Sequence, residues 1–278
     1  MLKKIIIFIL TIAIPYIATR AAFDYLGTAL GFAVMVLSFM ILFLIYKPKI
    51  YTIMGRQKYN KDHDEGFKYM EKAYLTGKMN PQDALIYAYM LLRDGHIVKS
   101  EKLITGVVHQ NKKKLTEKNL LAAKLNQAII LWKKNDLAGA IKKMEEVYDS
   151  GYRSTVHYQT LGLFYILNNN LEKAEEFVME AMDFNAEDAS IRDNLGLLYI
   201  KQGKWENAEV VYETLFSETT PTFIEAHFNY ASVLEHNGNI EEAFKYYQSA
   251  LGCPERFLST VKTSLVEACL ERVENQLN

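Results

Sequence analysis

The chain has 278 residues, enough for one large domain or two ordinary ones, and half of them are hydrophobic, as in most globular proteins. A net charge of −1 gives no support to a nucleic-acid binder, and two cysteines, Cys253 and Cys269, 16 residues apart, exclude a disulfide framework and fit a reducing compartment. The six histidines are scattered without a His-x-x-x-His pair beside a carboxylate, so no metal is expected. Neither a glycine-rich phosphate loop nor a Ser-His-Asp arrangement with local motif support points to an enzyme, and no cofactor is expected.

The amino terminus is far more apolar than the rest. Lys3 and Lys4 precede an apolar run from Ile5 to Ala18 that Arg20 and Asp24 close. Residues 2–22 read either as a first transmembrane helix, kinked at Pro15, or as a signal-like segment with a short apolar core. Tyr25 to Tyr46 then holds 22 residues without a charge, roughly 33 Å of helix, enough to cross a hydrocarbon core of about 30 Å. Lys47, Lys49, Arg56 and Lys58 follow it, and with Lys3 and Lys4 they place both ends in the cytoplasm. The expectation is an integral, two-pass protein of the cell membrane whose remainder is cytoplasmic. Gly27 to Gly31 forms a Gly-x-x-x-Gly at the outer end of the second helix; it either brings helices close or reflects ordinary membrane-helix glycines.

From Lys47 onward the helical period holds throughout, without an alternating strand pattern. Thr155 to Pro221 contains one pattern twice, 34 residues apart: Tyr158, Leu161, Gly162, Tyr165 and Ala174, then Arg192, Leu195, Gly196, Tyr199 and Ala208. Its phase extends in both directions. A small residue opens the second helix of each pair at Gly66, Ser100, Ala140, Ala174, Ala208 and Ala243, and a second small series falls at Ala88, Ala128, Gly162, Gly196 and Ala231. Small side chains at both places let paired helices interlock. Large residues beside them, such as Leu91 and Tyr165 on one helix and Met144 and Tyr212 on the next, fill the space between. Gly95, Gly203 and Gly238 stand where each first helix should stop in a left-handed conformation, with Asn135 and Asn169 in their place in two copies.

The chain therefore divides into a divergent first repeat over 47–80, repeats over 81–252 and a capping helix over 253–278. Phe257, Val261, Leu265, Cys269 and Val273 are expected to form the inner face of that cap. Lys112, Lys113 and Lys114 mark a six-residue insertion that is either a solvated loop or a contact with an anionic surface, and Thr116 is a candidate N-cap. Charge is polarised: Lys47–Leu171 carries 21 basic and 12 acidic residues, Glu172–Asn278 carries 8 and 20. Either an anionic leaflet or the choice of partner accounts for that gradient.

The period of 34 with Leu-Gly-x-x-Tyr and a later Ala resembles the tetratricopeptide repeat family over nearly all of Gly66 to Gly252. The resemblance implies an all-α fold, a right-handed superhelical solenoid of helix–turn–helix repeats. It also implies a concave groove lined by the first helix of each pair. In this register the groove presents Leu85 and Tyr89, then Leu125, Asn126, Ile129 and Trp132, then Gln159 and Leu163, then Asp193, Asn194 and Leu197, and finally Phe228, Asn229 and Ser232. Asn126, Asn194 and Asn229 recur at one repeat position, where an amide supplies donor and acceptor to a bound backbone. Such a surface suits an amphipathic helix or an apolar peptide. The expected function is a membrane-anchored protein–protein interaction scaffold, not a catalyst, with protein or peptide partners and no small-molecule substrate. The alternative is a peptide-sensing regulator that couples ligand binding in the solenoid to the membrane hairpin.

Overall fold

A computed structural model describes residues 2–59, 61–110 and 115–277. Among the described residues every regular element is an α-helix, fourteen in number. They fall into two compact units, Met1–Ala84 and Leu85–Asn278, divided within one helix. The Lys112–Lys114 run lies outside the described residues.

In the first unit α1 spans Leu2–Leu26, α2 spans Thr28–Tyr59 and α3 spans His63–Leu75. The first helix runs four residues past the expected end at 22, and Arg20 and Asp24, which close its apolar run, pair at 3.1 Å one turn apart within α1. The break comes instead at Gly27, whose φ of +83° belongs to a conformation that side chains with a Cβ disfavour. Gly27 therefore precedes α2, and of the Gly-x-x-x-Gly pair it is Gly31 that lets α1 and α2 approach closely. Only Gly31 lies in a helix, beneath the Phe23 ring.

By length and composition α2 is long and apolar enough to cross a membrane. Its apolar side chains face outward; Phe39, for example, is 66% exposed. Pro48 sits inside α2 without ending it, and the helix runs on through Lys49 to Tyr59. That far end packs on α3, where Gly66 meets the Tyr59 backbone so closely that a Cβ would lie 2.4 Å away. The small-residue marker read at Gly66 is thus a point of helix contact.

The second unit continues with α4 (Pro81–Arg93), α5 (Ile97–Gln110), α6 (Glu117–Lys133), α7 (Leu137–Asp149), α8 (Thr155–Leu167) and α9 (Leu171–Asn185). Then come α10 (Ala189–Lys201), α11 (Trp205–Glu218), α12 (Ile224–His236), α13 (Ile240–Leu251) and α14 (Thr263–Leu277). From α4 to α13 these are five helix pairs. Both small-residue series face inward: Ala88, Ala128, Ala140, Ala174, Ala208, Ala231 and Ala243 are fully buried, and Ser100 donates to the Ala88 carbonyl at 2.8 Å. The large partners Ile104, Met144, Val178, Tyr212 and Tyr247 are buried between the pairs, each worth about 1.5–3 kcal/mol of transfer free energy.

The turns inside the pairs repeat one device. Gly95, Asn135, Asn169, Gly203 and Gly238 have φ between 56° and 85°. The next residue's N–H returns to the carbonyl of Leu91, Leu131, Tyr165, Tyr199 or Leu234, which satisfies an end carbonyl of the first helix. Thr116 caps α6 by accepting from the Asn119 N–H.

The carboxy-terminal cap is shorter than expected. It starts at Thr263, so Phe257 and Val261 precede it, and Leu265 is 47% exposed. The inner stripe is Val266, Cys269 and Val273, the i, i+3, i+7 face; Leu265 stands one position off it.

Candidate partner-binding groove

The first helices of consecutive pairs are joined by buried amides. Asn126 Nδ2 donates to the Leu85 carbonyl at 3.0 Å, Asn194 Nδ2 to the Gln159 carbonyl at 2.8 Å, and Asn229 Nδ2 to Asp193 Oδ1 at 3.0 Å. These side chains are at least nine-tenths buried, so their donors bind the preceding repeat rather than a ligand backbone. That corrects the sequence expectation for Asn126 and Asn229; Asn194 spends its donor in the same way but still borders the groove cavity. At the corresponding place in α8 stands Thr160, whose hydroxyl turns back to the Val156 carbonyl at 2.7 Å. The α6–α8 step therefore lacks the amide staple.

A cavity of about 410 Å³ opens on this face, and Thr160 lines it. Of the groove positions read from sequence, Tyr89, Ile129, Trp132, Gln159, Leu163, Asp193, Asn194 and Leu197 border it. Leu85 and Leu125 are buried between helices, which corrects their assignment. Phe228 packs beside Tyr247 with ring centroids 5.7 Å apart, and the Ser232 hydroxyl bonds the Phe228 carbonyl at 2.9 Å. Neither borders the cavity. Trp132 meets Phe164 at 5.3 Å, so the apolar wall is aromatic across the unstapled step.

Two family models match, both described as tetratricopeptide repeat, at residues 158–188 and 194–256. The chain carries tetratricopeptide repeats. A tetratricopeptide repeat protein from Parabacteroides merdae superposes with a TM-score of 0.62 at 11% identity, covering 94% of this chain and 98% of that one. A thermophilic tetratricopeptide protein from Thermus thermophilus gives 0.55 at 17% identity, covering 70% and 99%. At these identities the likeness is one of fold. The BBSome complex member BBS4 of Bos taurus is 30% identical over 98 residues, 34% of this chain, and the match spans only 18% of that protein's length.

Beyond its repeats, the tetratricopeptide stack gives the cavity a wall that sequence reading missed. Arg256, Leu258, Ser259 and Thr260, between α13 and α14, border it together with Thr222, Phe223 and Glu225 at the start of α12. The Thr260 N–H donates to Glu225 Oε1 at 2.8 Å. Phe257 lies beneath Gly95, where an added Cβ would come within 3.2 Å of its ring. Lys133 Nζ sits 3.9 Å from the Trp132 ring centroid and 5.2 Å from that of Phe257. Burial, and then the neighbouring Lys262, lowers the Lys133 amine to about 8. Residues 253–262 thus form a strap that reaches the α4–α5 turn through Phe257 and the start of α12 through Thr260. Its only sequence signal was the proline at 254.

The cavity floor holds one buried carboxyl. Asp193 Oδ1 accepts from Tyr212 Oη at 2.9 Å and from Asn229, and burial pushes the group up to about 7 against the pull of those two donors. Arg93 and Arg256 add positive charge at the same cavity, and Glu225 adds negative. The arrangement provides an apolar, aromatic wall with charges of both signs around it. Among the described residues no group of three His, Cys, Asp or Glu side chains is placed to hold a metal ion.

Proposed function

We propose that the chain is a membrane-anchored interaction scaffold. In this reading α1 and α2 form a two-pass anchor in the cell membrane and the repeats stand in the cytoplasm. The groove takes the apolar face of an amphipathic helix, or an extended apolar peptide, from a partner protein. The observation that carries it is the 410 Å³ cavity, where Trp132, Leu163 and Leu197 offer half-buried apolar surface at the step without an amide staple. Apolar anchors seated in such a pocket are the usual source of binding energy in a peptide complex. The anchor is supported by the uncharged run of α2, its outward apolar side chains and the lysines that follow it. Repeats of this kind serve protein–protein contacts, in keeping with complex membership of the bovine relative.

The test is photocrosslinking from position 132, in place of Trp132, in intact cells, followed by partner identification. Wild type should capture a discrete protein, and the Leu163→Glu/Leu197→Glu variant should lose it while keeping its helical content. Equal capture by both would refute the groove. The anchor is tested separately: the chain should resist alkaline carbonate extraction, and a chain lacking residues 1–46 should not.

The strap favours a second reading, a peptide sensor. A ligand that fills the cavity would touch Arg256 to Thr260, so binding and the position of the strap would be linked.

A further inference from the structure

A second cleft, of about 280 Å³, lies in the first unit. One wall is the stretch of α2 from Ile45 to Arg56; the other is the approach to α4, from Lys78 to Asp83. Three cations, Lys49, Arg56 and Lys78, face it against a single carboxylate, Asp83. Arg56 Nη1 is 3.7 Å from Asp83 Oδ1, and Asp83 also accepts from the Asn80 amide. That pair roughly cancels. Lys49 and Lys78 form no ion pair among the described residues, so the cleft keeps two uncompensated ammonium groups. The Thr52 hydroxyl is occupied by the Pro48 carbonyl at 2.9 Å, which leaves charge as the dominant feature of the polar side.

The other side is apolar. Ile45 and Ile53, 52% and 46% exposed, border the same cleft. Ile45, Lys49, Ile53 and Arg56 follow at i, i+4, i+8 and i+11, a single stripe along α2. Ile45 is next to the end of the uncharged run, and Lys49 stands roughly 6 Å further along the helix axis. Read with α2 in the bilayer, the cleft therefore falls at the depth of lipid headgroups. Two ammonium groups match a phosphate, and the isoleucine flank matches the start of an acyl chain. A free phosphate would use only the first of these features.

We infer that this cleft binds the phosphate of an anionic phospholipid, with Lys49 and Lys78 as its charge partners and Ile45 and Ile53 against the acyl chains. The inference rests on the membrane-anchor reading. General attraction of juxtamembrane lysines to an anionic leaflet is a rival that needs no cleft. Lys47 separates the two, because it lies equally close to the run but turns to the Tyr51 ring, 5.6 Å away, and does not line the cleft.

The full chain is reconstituted in phosphatidylcholine vesicles containing spin-labelled phosphatidylglycerol or spin-labelled phosphatidylcholine, and the motionally restricted lipid is measured. Wild type should prefer phosphatidylglycerol by about fivefold or more, from two ammonium–phosphate contacts. Lys49→Gln/Lys78→Gln should reduce that preference to within twofold, and Lys47→Gln/Lys72→Gln should retain it, since Lys72 of α3 turns to the Tyr69 ring, 5.3 Å away, and does not line the cleft. Equal loss in both double variants, or no preference in wild type, would overturn the site. So would lysine-dependent binding of inorganic phosphate by the detergent-solubilised chain without any lipid preference, which would assign the cleft to a free anion. Failure to float with pure phosphatidylcholine vesicles would instead defeat the anchor reading beneath it.

Discussion

Glu225 opens the last repeat, and its Oε1 accepts the backbone N–H of Thr260 at 2.8 Å, 35 residues further on. This one bond pins the strap to α12, while Phe257 holds its middle beneath Gly95. A backbone donor bonded to a carboxylate contributes more than a neutral bond, roughly 1.5–3 kcal/mol.

Removing the carboxylate should free the strap without unfolding the repeats. Glu225→Ala should speed tryptic cleavage after Arg256 severalfold at unchanged helical content, because local opening exposes the site. An unchanged cleavage rate would show that the strap is held by other contacts.

Asp193 makes stability depend on pH in a direction unusual for a carboxylate. Unfolded, the group titrates near 3.8; folded, burial moves it to about 7 despite the donors Tyr212 and Asn229. Between those values the folded chain keeps a proton that the unfolded chain has released, so stability falls as pH rises from about 4 to about 7. The full shift corresponds to about 4 kcal/mol. Urea denaturation of the full chain at pH 5 and pH 8 should show the loss in wild type and a much smaller one in Asp193→Asn. If the two differ equally between these pH values, the dependence belongs elsewhere.

The left-handed turns give a backbone test. Asn169 has φ 56°, and its N–H returns to Ile166 while the next N–H reaches Tyr165. Asn tolerates this conformation better than most residues, but glycine adopts it freely. Asn169→Ala should cost about 1 kcal/mol and Asn169→Gly should be neutral or stabilising, read from denaturation midpoints. The reverse order would mean that the Asn side chain, not the backbone, sets the turn.

These turns also show what a single sequence reveals. Asn135 and Asn169 were legible as glycine substitutes because a helix end imposes the same backbone demand in every repeat, and a 34-residue period exposes it. The small-residue series was legible for the same reason: Gly66 to Ala243 all sit at helix contacts. The recurrence of Asn126, Asn194 and Asn229 was visible too, but not its purpose. Whether those amides face a ligand or the preceding repeat depends on a small rotation per repeat that sets the curvature of the stack. The strap was hidden because Glu225–Thr260 and Gly95–Phe257 are contacts of tertiary closure, outside any local period. Leu265 and Val266 differ by one position, and only packing against α13 decides which turns inward.

Gly196 and Tyr212 provide the sharpest packing test. A Cβ on residue 196 would stand 2.5 Å from the Tyr212 ring, closer than any relaxed contact. That ring has no room to retreat: it is fully buried, stacked on Tyr230 with centroids 5.6 Å apart, and bonded through its hydroxyl to Asp193. Gly196→Ala should therefore destabilise the second unit by about 1–3 kcal/mol, the usual penalty for overpacking a filled core. Adding Tyr212→Leu should recover part of that loss, since it removes the ring atoms the new methyl meets, though it also leaves Asp193 one donor short. The double variant should fall between the two single variants in denaturation midpoint. If Gly196→Ala alone were neutral, helices α10 and α11 would have to separate more readily than their buried contacts imply, and the interlocking role given to the small-residue series would fail at its tightest point.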